Sequence, residues 1–409
     1  MRSLTRVVVG LAVLAAACSG GSDGESDGAD GGNGGDEAST TTETGAEVAP
    51  AEVEQFTGPV EAFYDVPDPL PPGGPGDLIR TMPIEAPAGE AGLRIMYHSS
   101  DAEGEDRAVT GVVFHPTGEA PDGGWPIHAW AHGTSGLAPA CAPSRLPQAP
   151  PRFGIEGVHV ATDYIGLGPN GELHPYLSAA AEGNAVIDGV AAARALPDAH
   201  AGDRWVATGH SQGGHAALIT NEWAAGRLPE VELLGTVAVA PGAELGTSHG
   251  DDLQIRIITA LVLFGTAAED PSIDPADYLN PEAYAATAEV VADGCIGDVI
   301  SALPGLAADP GFFTTDPRTT DLGGEWLEAN DPGQVVSASP LLLVQGGADI
   351  LVVPARTDAL QARLCGLGQV VDRLDYPTAT HDTELVEGEA DIAAWLAARL
   401  AGEPPTDDC

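Results

Sequence analysis

The chain has 409 residues, with 61 Asp and Glu against 16 Lys and Arg, and every one of those bases is Arg, for a formal net charge of -45. Hydrophobic residues make up 43% and charged residues 19%, the balance of a globular chain and not of a wholly disordered one. There is no basic stripe to grip nucleic-acid phosphates or an anionic membrane surface, so neither partner class is expected.

Met1–Arg6 is a short basic segment, and Val7–Ala17 is an apolar run ending in small residues before Cys18. This predicts an export signal over residues 1–17, too short to span a bilayer as a helix. Leu14–Cys18 resembles a bacterial lipobox, which implies a lipidated Cys18 as the first mature residue. It departs from that pattern in having Ala15 where Leu is usual, and the alternative is a plain signal with a chance Cys. Residues 18–50 are Gly, Ser, Asp, Thr and Glu with hardly an apolar side chain, so they read as a tether that cannot offset its ordering entropy. Membrane contact is therefore expected only through the anchor, at the cell surface or on a secreted form, with a monomeric folded part.

Leu93–Tyr97 and Val109–Phe114 read as a strand pair across an acidic turn. Trp125–Ala131, Val158–Thr162, Trp205–Gly209, Leu234–Ala240 and Leu341–Gln345 are short apolar runs, as buried parallel strands require. Helical stretches alternate with them at Ala179–Ala195, Gly213–Ala225, Ala355–Leu364 and Thr383–Leu400. This alternation predicts an α/β fold with a doubly wound, mostly parallel sheet. Residues 244–335 break it and are too long for a plain loop. They read as a cap inserted between core segments 51–243 and 336–409. One apolar run in it, Ile255–Phe264, could line an acyl tunnel or only pack the cap.

Gly209-His210-Ser211-Gln212-Gly213 fits G-x-S-x-G, the nucleophile elbow of α/β-hydrolases. The pattern also occurs at Gly20–Gly24, Gly24–Gly28 and Gly246–Gly250. The first two lie in the tether. The third, around Ser248, trails its strand and is followed by Asp251 and Asp252, where a helix N-terminus should welcome an oxyanion. Only Ser211 stands directly between an apolar strand and a small-residue helix. A nucleophilic Ser needs a neutral imidazole base and an orienting carboxylate. His381 is the one His beyond the strand at Leu341, and it sits in a loop before the last helix. Asp349, in Gly346-Gly347-Ala348-Asp349, is the preferred acid, with Glu244 as its rival. For the oxyanion hole the candidates are the Gln212 N–H and that of Gly133 or Thr134, in His132–Gly136. His132, His210 and His215 read as packed or hydrogen-bonded turn residues, and Asp163 as a residue that fixes loops.

The succession HGTSG (His132–Gly136), CAPS (Cys141–Ser144), TDYIGLG (Thr162–Gly168), GHSQGGHAAL (Gly209–Leu218), APG (Ala240–Gly242), GGADILVVP (Gly346–Pro354) and the late His381 resembles the secretory lipase family, of the lipase-A type, over about residues 70–400. The resemblance implies an α/β-hydrolase with a cap, a Ser-Asp-His triad falling on Ser211, Asp349 and His381, and hydrolysis of acylglycerols and other carboxylic esters. It differs from the fungal members in lacking an obvious acidic residue in the His132–Gly136 loop, and in having the tether. A peptidase on the same fold and a non-catalytic surface lipoprotein are the alternatives.

No metal or organic cofactor is expected, and no CxxC or His-x₃-His spacing suggests a structural zinc site. After Cys18 the cysteines are Cys141, Cys295, Cys365 and Cys409, enough for two disulfides in three possible pairings. The favoured pairing is Cys141–Cys295, tying the cap to the loop beside the site, with Cys365–Cys409, pinning the C-terminal tail.

Overall fold

The computed structural model describes residues 52–409, apart from 147, 170 and 248–252. The export segment, Cys18, the acidic tether and the rival Ser248 lie outside the described residues. Ten strands form one sheet: β1 (Glu54–Gln55), β2 (Leu78–Ile84), β3 (Glu90–Ser100), β4 (Asp106–Pro116), β5 (Trp125–Ala131), β6 (Val158–Thr162), β7 (Ala201–His210), β8 (Glu232–Val239), β9 (Leu341–Gly346) and β10 (Val371–Tyr376). Their order is β1-β2-β3-β4-β6-β5-β7-β8-β9-β10. The pairs β2/β3, β3/β4 and β4/β6 are antiparallel, and every neighbour from β6 to β10 is parallel. The central strands are covered on both faces, which is why they read as unbroken apolar runs; all six residues of β9 are buried. By contrast, β2 carries Arg80, Thr81 and Pro83 and gives no such signal.

The helices are α1 (Val60–Phe63), α2 (Ala185–Arg194), α3 (Gln212–Arg227), α4 (Leu253–Glu269), α5 (Pro281–Asp293), α6 (Ile296–Ala302), α7 (Pro304–Ala307), α8 (Asp321–Ala329), α9 (Pro354–Leu367) and α10 (Glu384–Leu400). A π turn over Ala180–Asn184 precedes α2, so the helix expected from Ala179 opens with an irregular turn. Helix α2 packs on the first half of the sheet through Val186, Ile187 and Val190, and α10 covers β8 and β9 through Ile392, Trp395 and Leu396. Between β8 and β9, α4–α8 share an apolar cluster that includes Leu261, Leu263, Phe264 and Trp326 and closes on Leu137, Tyr176 and Leu177. Disulfides join Cys141 to Cys295 and Cys365 to Cys409. The first lies beside a backbone bridge from Gly136 to Cys295, so α6 is fastened to the loop after β5.

Two histidines inside the sheet are paired in a way that leaves no room for another proton. The Thr208 hydroxyl donates to His128 Nε2 (2.7 Å), and the His128 Nδ1–H donates to His159 Nδ1 (3.1 Å). The His159 Nε2–H then donates to the Ile155 carbonyl (3.1 Å). Burial, and then the neighbouring His159, holds His128 well below the usual imidazole value. Burial, with Arg152 nearby, brings His159 down to about 4. Both rings stay neutral in the fold while the unfolded chain takes up protons below about pH 6.5. Stability is therefore expected to fall as pH drops from about 6.5 toward 4. Urea unfolding across that range checks this, and the double variant His128→Asn/His159→Asn should show a shallower dependence than the parent.

Candidate active site

The last residue of β7 leads straight into Ser211, which adopts φ 61° and ψ -116° before α3 begins. A non-glycine residue in that region costs about 1–3 kcal/mol, so the surroundings must impose it. They do so by hydrogen bonds at both ends: the Ser211 N–H donates to the Val239 carbonyl (2.9 Å), and the Ser211 carbonyl accepts from Gly242 (3.0 Å) and His215 (3.1 Å). The turn is so tight that a Cβ on Gly209 would lie 1.9 Å from the Gly213 carbonyl oxygen. One on Gly213 would lie 2.0 Å from that of Ala131. Only glycine fits at either position.

His381, from the loop between β10 and α10, donates its Nδ1–H to Asp349 Oδ2 (2.8 Å), and its Nε2 accepts from the Ser211 hydroxyl (2.9 Å). Asp349, in the turn after β9, also accepts from the backbone N–H groups of Leu351 (2.7 Å) and Val352 (2.9 Å) through Oδ1. Burial alone would raise its pKa, but the bond to His381, that residue's charge and the neighbouring Glu384 outweigh it and hold the carboxyl below the usual range. The two loops are laced together by Gly347 N–H to the Tyr376 carbonyl and Ala348 N–H to the Ala379 carbonyl. His210 fixes the His381 loop from the other side, donating Nε2–H to the His381 carbonyl (2.9 Å). Burial and the nearby His381 bring His210 down to about 4, so it is neutral. The rival acid Glu244 is elsewhere, paired with Arg363 at 3.1 Å. Asp163 receives hydrogen bonds from Thr110 and from the backbone and hydroxyl of Ser144, and so ties β4 to the turn around Ser144.

The remaining candidates surround Ser211. Gln212 supplies the first amide of α3, which has no intrahelical acceptor. Gly133 lies against the elbow: a Cβ on it would be 3.8 Å from Ser211 Cβ. Thr134 hydrogen-bonds through its hydroxyl to that of Tyr176 (2.7 Å). A cavity of about 890 Å³, counting its open mouth, runs from Ser211 under α4. Ile255, Ile258, Val262, Leu263 and Trp326 line it, with Arg356 a charged group at its wall. Of the apolar run in α4, Leu263 and Val262 face this cavity. Leu261 and Phe264 instead belong to the packing of the insertion, and Phe264 stacks on Tyr284.

Beneath the elbow lies a charged cluster that the sequence reading missed. Glu182, in the π turn, accepts from the Leu177 N–H (2.9 Å), Gln212 Nε2 (2.8 Å) and His215 Nδ1 (2.6 Å). His215 Nε2 donates to the Asn330 carbonyl (2.8 Å), at the end of α8. Both side chains are wholly buried. Burial opposes both charges, but each offsets it for the other: Glu182 is brought down to about 2, chiefly by the charge of His215, and His215 is raised. The other missed group is Glu384, buried in the first turn of α10 with Oε1 3.7 Å from His381 Nδ1. Its spacing to His381, three residues, was the signal that could have found it. Among the described residues, His210, His381 and Glu384 bring metal-ligand atom types within 4.8 Å. Both His381 nitrogens are already committed to Asp349 and Ser211, so they do not form a free donor set.

A family profile described as secretory lipase matches residues 155–408. No curated protein sequence matches. Among solved structures, the chain is similar to Candida antarctica lipase A, at 16% identity and a TM-score of 0.72, covering 85% of this chain and 87% of that one. It is also similar to the rice cell wall degrading esterase LipA from Xanthomonas oryzae (19% identity, TM-score 0.68, 81% of this chain and 100% of that one). A third is a putative hydrolase from Legionella pneumophila (18%, TM-score 0.64, 75% and 88%).

Glu182 accepts from three buried donors, and removing it takes the carboxylate from Leu177 N–H and from the His215 imidazole while leaving Gln212 Nε2 only its contact with His174 Nε2 (2.7 Å). Glu182→Leu is expected to destabilise the fold by about 3–5 kcal/mol, read by chemical denaturation. A loss below about 1 kcal/mol would mean that the cluster does not hold the elbow.

Proposed function

This chain belongs to the secretory lipase family, and from that membership we propose that it is an exported serine hydrolase of carboxylic esters, working through an acyl-enzyme on Ser211, His381 and Asp349. What supports this most is the unbroken pair of hydrogen bonds, 2.8 Å and 2.9 Å, from Asp349 through His381 to a Ser211 hydroxyl held at a strained turn. In the proposed cycle His381 Nε2 takes the Ser211 proton as Oγ attacks the ester carbonyl carbon. The carbonyl oxygen becomes an oxyanion, stabilised by the Gln212 N–H and that of Gly133 or Thr134. The C–O bond to the alcohol breaks, and His381 gives that oxygen the proton. Water, deprotonated by His381 in turn, attacks the acyl-Ser211 ester and releases the acid. Asp349 holds the imidazole in the tautomer that accepts at Nε2 and stabilises its positive form.

The apolar cavity beside Ser211 suits the acyl chain, since ligand sites are concave and mostly apolar. Triacylglycerols and simple esters both fit this chemistry. For location, the reading rests on the export segment, on Cys18 as an anchor, and on two disulfides that favour an oxidising compartment. No described helix is long and apolar enough to cross a membrane. The three reacting side chains come from one chain, so the site needs no second copy.

Ser211→Ala is expected to remove ester hydrolysis by several orders of magnitude with folding intact, and to abolish labelling by a serine-directed phosphonate. Ser248→Ala should retain both; comparable loss from Ser248→Ala alone in a folded protein would overturn the assignment. A second expectation concerns acyl length. Leu263→Trp should shorten the accepted chain while sparing acetate and butyrate esters, because Leu263 lines the cavity. Phe264→Trp, which perturbs the packing of the insertion around the stack on Tyr284, should lower stability and leave the chain-length profile as it was. A panel of esters of rising chain length, with a thermal melt for each variant, separates the two.

A further inference from the structure

Glu384 is in a place where a carboxylate is hard to keep. Its side chain is wholly buried. Oε2 accepts from the Gly346 N–H of β9 (2.5 Å), whereas Oε1 is buried with no donor directed at it. The first turn of α10 would favour an ionised acid through the helix dipole. Against that stand the lost hydration and the adjacent Asp349, which is already a carboxylate bound to three donors. Like charges sharing one buried site are not both ionised near neutrality. The groups facing Glu384 are Asp349 from the turn after β9, His381 from its own loop, His210 from β7 and Arg373 from β10. His210 is neutral, and Arg373 is engaged with Asp358 (3.2 Å) and Asp375 (2.8 Å), so neither supplies a charge-balancing contact to Oε1.

We propose that Glu384 is a positioning residue held as the neutral acid, its Oε1–H donating to the Asp349 carboxylate, so that the two acids carry one negative charge and one proton opposite His381. The inference rests on His381 and Asp349 acting as the base and its orienter. The shared proton supplies the partner that Oε1 otherwise lacks. It occupies a lone pair of Asp349, lowers that group's basicity and keeps it from drawing the imidazole proton off Nδ1. It also pins the carboxylate in the plane that His381 needs. Burial, followed by the bond and charge of Asp349, pushes the Glu384 carboxyl up to about 9. When the pair loses its proton, two charges face each other in a site with donors for one, and Asp349 is driven off His381. Activity therefore falls as pH rises through that value.

Glu384→Gln separates positioning from ionisation. The amide can accept from Gly346 and donate to Asp349, but has no proton to lose. Glu384→Ala removes the donor altogether. Infrared difference spectra of the whole folded chain are expected to show a protonated-carboxyl C=O band at neutral pH that disappears as pH is raised through about 9, and that is absent in Glu384→Gln. In ester assays, wild type should lose kcat over the same alkaline range and Glu384→Gln should not. Glu384→Ala should lose about ten-fold in kcat, the worth of one charge-assisted hydrogen bond, with KM little changed, and Glu384→Gln should recover most of that loss. No carboxyl band in wild type, a band that persists in Glu384→Gln, or an identical alkaline limb in both proteins would overturn the proposal. The band needs no turnover. A chain with the band but no esterase activity would fail the functional reading alone, and an active esterase without it would fail this proposal alone.

Discussion

The backbone at Ser211 is the constraint on which the rest of the molecule depends. A side chain held at positive φ between a strand and a helix is unfavourable unless its neighbours force it. Here the forcing is mutual. The Ser211 N–H is taken by β8 through Val239 and its carbonyl by Gly242 in the next loop, so the turn forms only if β7 and β8 are parallel neighbours. The same sheet order puts β9 beside β8, and the ends of β9 and β10 carry Asp349 and His381 up to the same edge. Five consecutive parallel neighbours therefore deliver the reacting groups from loops far apart in sequence, at the carboxyl ends of the strands, where open α/β sheets place their ligands.

Around that turn the protein buries charge sparingly and in two different ways. Below the elbow, Glu182 and His215 neutralise each other, with hydrogen bonds to Leu177, Gln212 and Asn330 satisfying their remaining polar atoms. Such a pair adds little net stability but costs several kcal/mol when one partner goes, so it fixes geometry more than it strengthens the fold. Beside the base, Asp349 and Glu384 are two acids side by side, and among the described residues no arginine contacts Glu384 Oε1. A proton takes the place a cation would fill. Both solutions hold a polar group in one orientation where loose packing would let it drift, one against Gln212 next to Ser211 and the other against its base His381.

The sequence showed the parts that follow from local rules. G-x-S-x-G between a strand and a small-residue helix, Gly-Gly-x-Asp after an apolar strand, and a single late His are patterns of neighbouring residues, and they lead to Ser211, Asp349 and His381. The parallel strands were legible because burial on both faces leaves a continuous apolar run. What escaped was set by contacts distant in sequence. Strand β2 has an edge composition, with Arg80 held by carbonyls of Phe63 and Asp65, and carries no periodic signal. The π turn before α2 leaves an ordinary helical pattern in the letters. Glu182 and Glu384 look like two more acids in a chain with 61, and only the fold shows that they are buried. The apolar run in α4 was ambiguous for a related reason. Periodicity identifies a helix with two faces, but not which face meets an empty cavity and which meets Tyr284.

The insertion between β8 and β9 is held at its middle and near its exit, and this bears on how the acyl cavity is defined. In its middle, Cys141–Cys295, the Gly136–Cys295 bridge and the Ile296 N–H to Ser135 carbonyl bond (2.8 Å) fasten α6 to the loop that contains Gly133 and Thr134. Near its exit, His215 binds the Asn330 carbonyl and Arg363 binds Asp331 (3.0 Å), so the end of α8 is tied to α3 and α9. A body fixed at two places along its length does not swing away as a rigid flap about either one. The candidate oxyanion loop and the roof of the cavity are thus parts of one cross-linked unit. The width available to an acyl chain is then set less by how far the insertion opens than by the side chains that α4 and α8 present to it, Val262, Leu263 and Trp326 foremost.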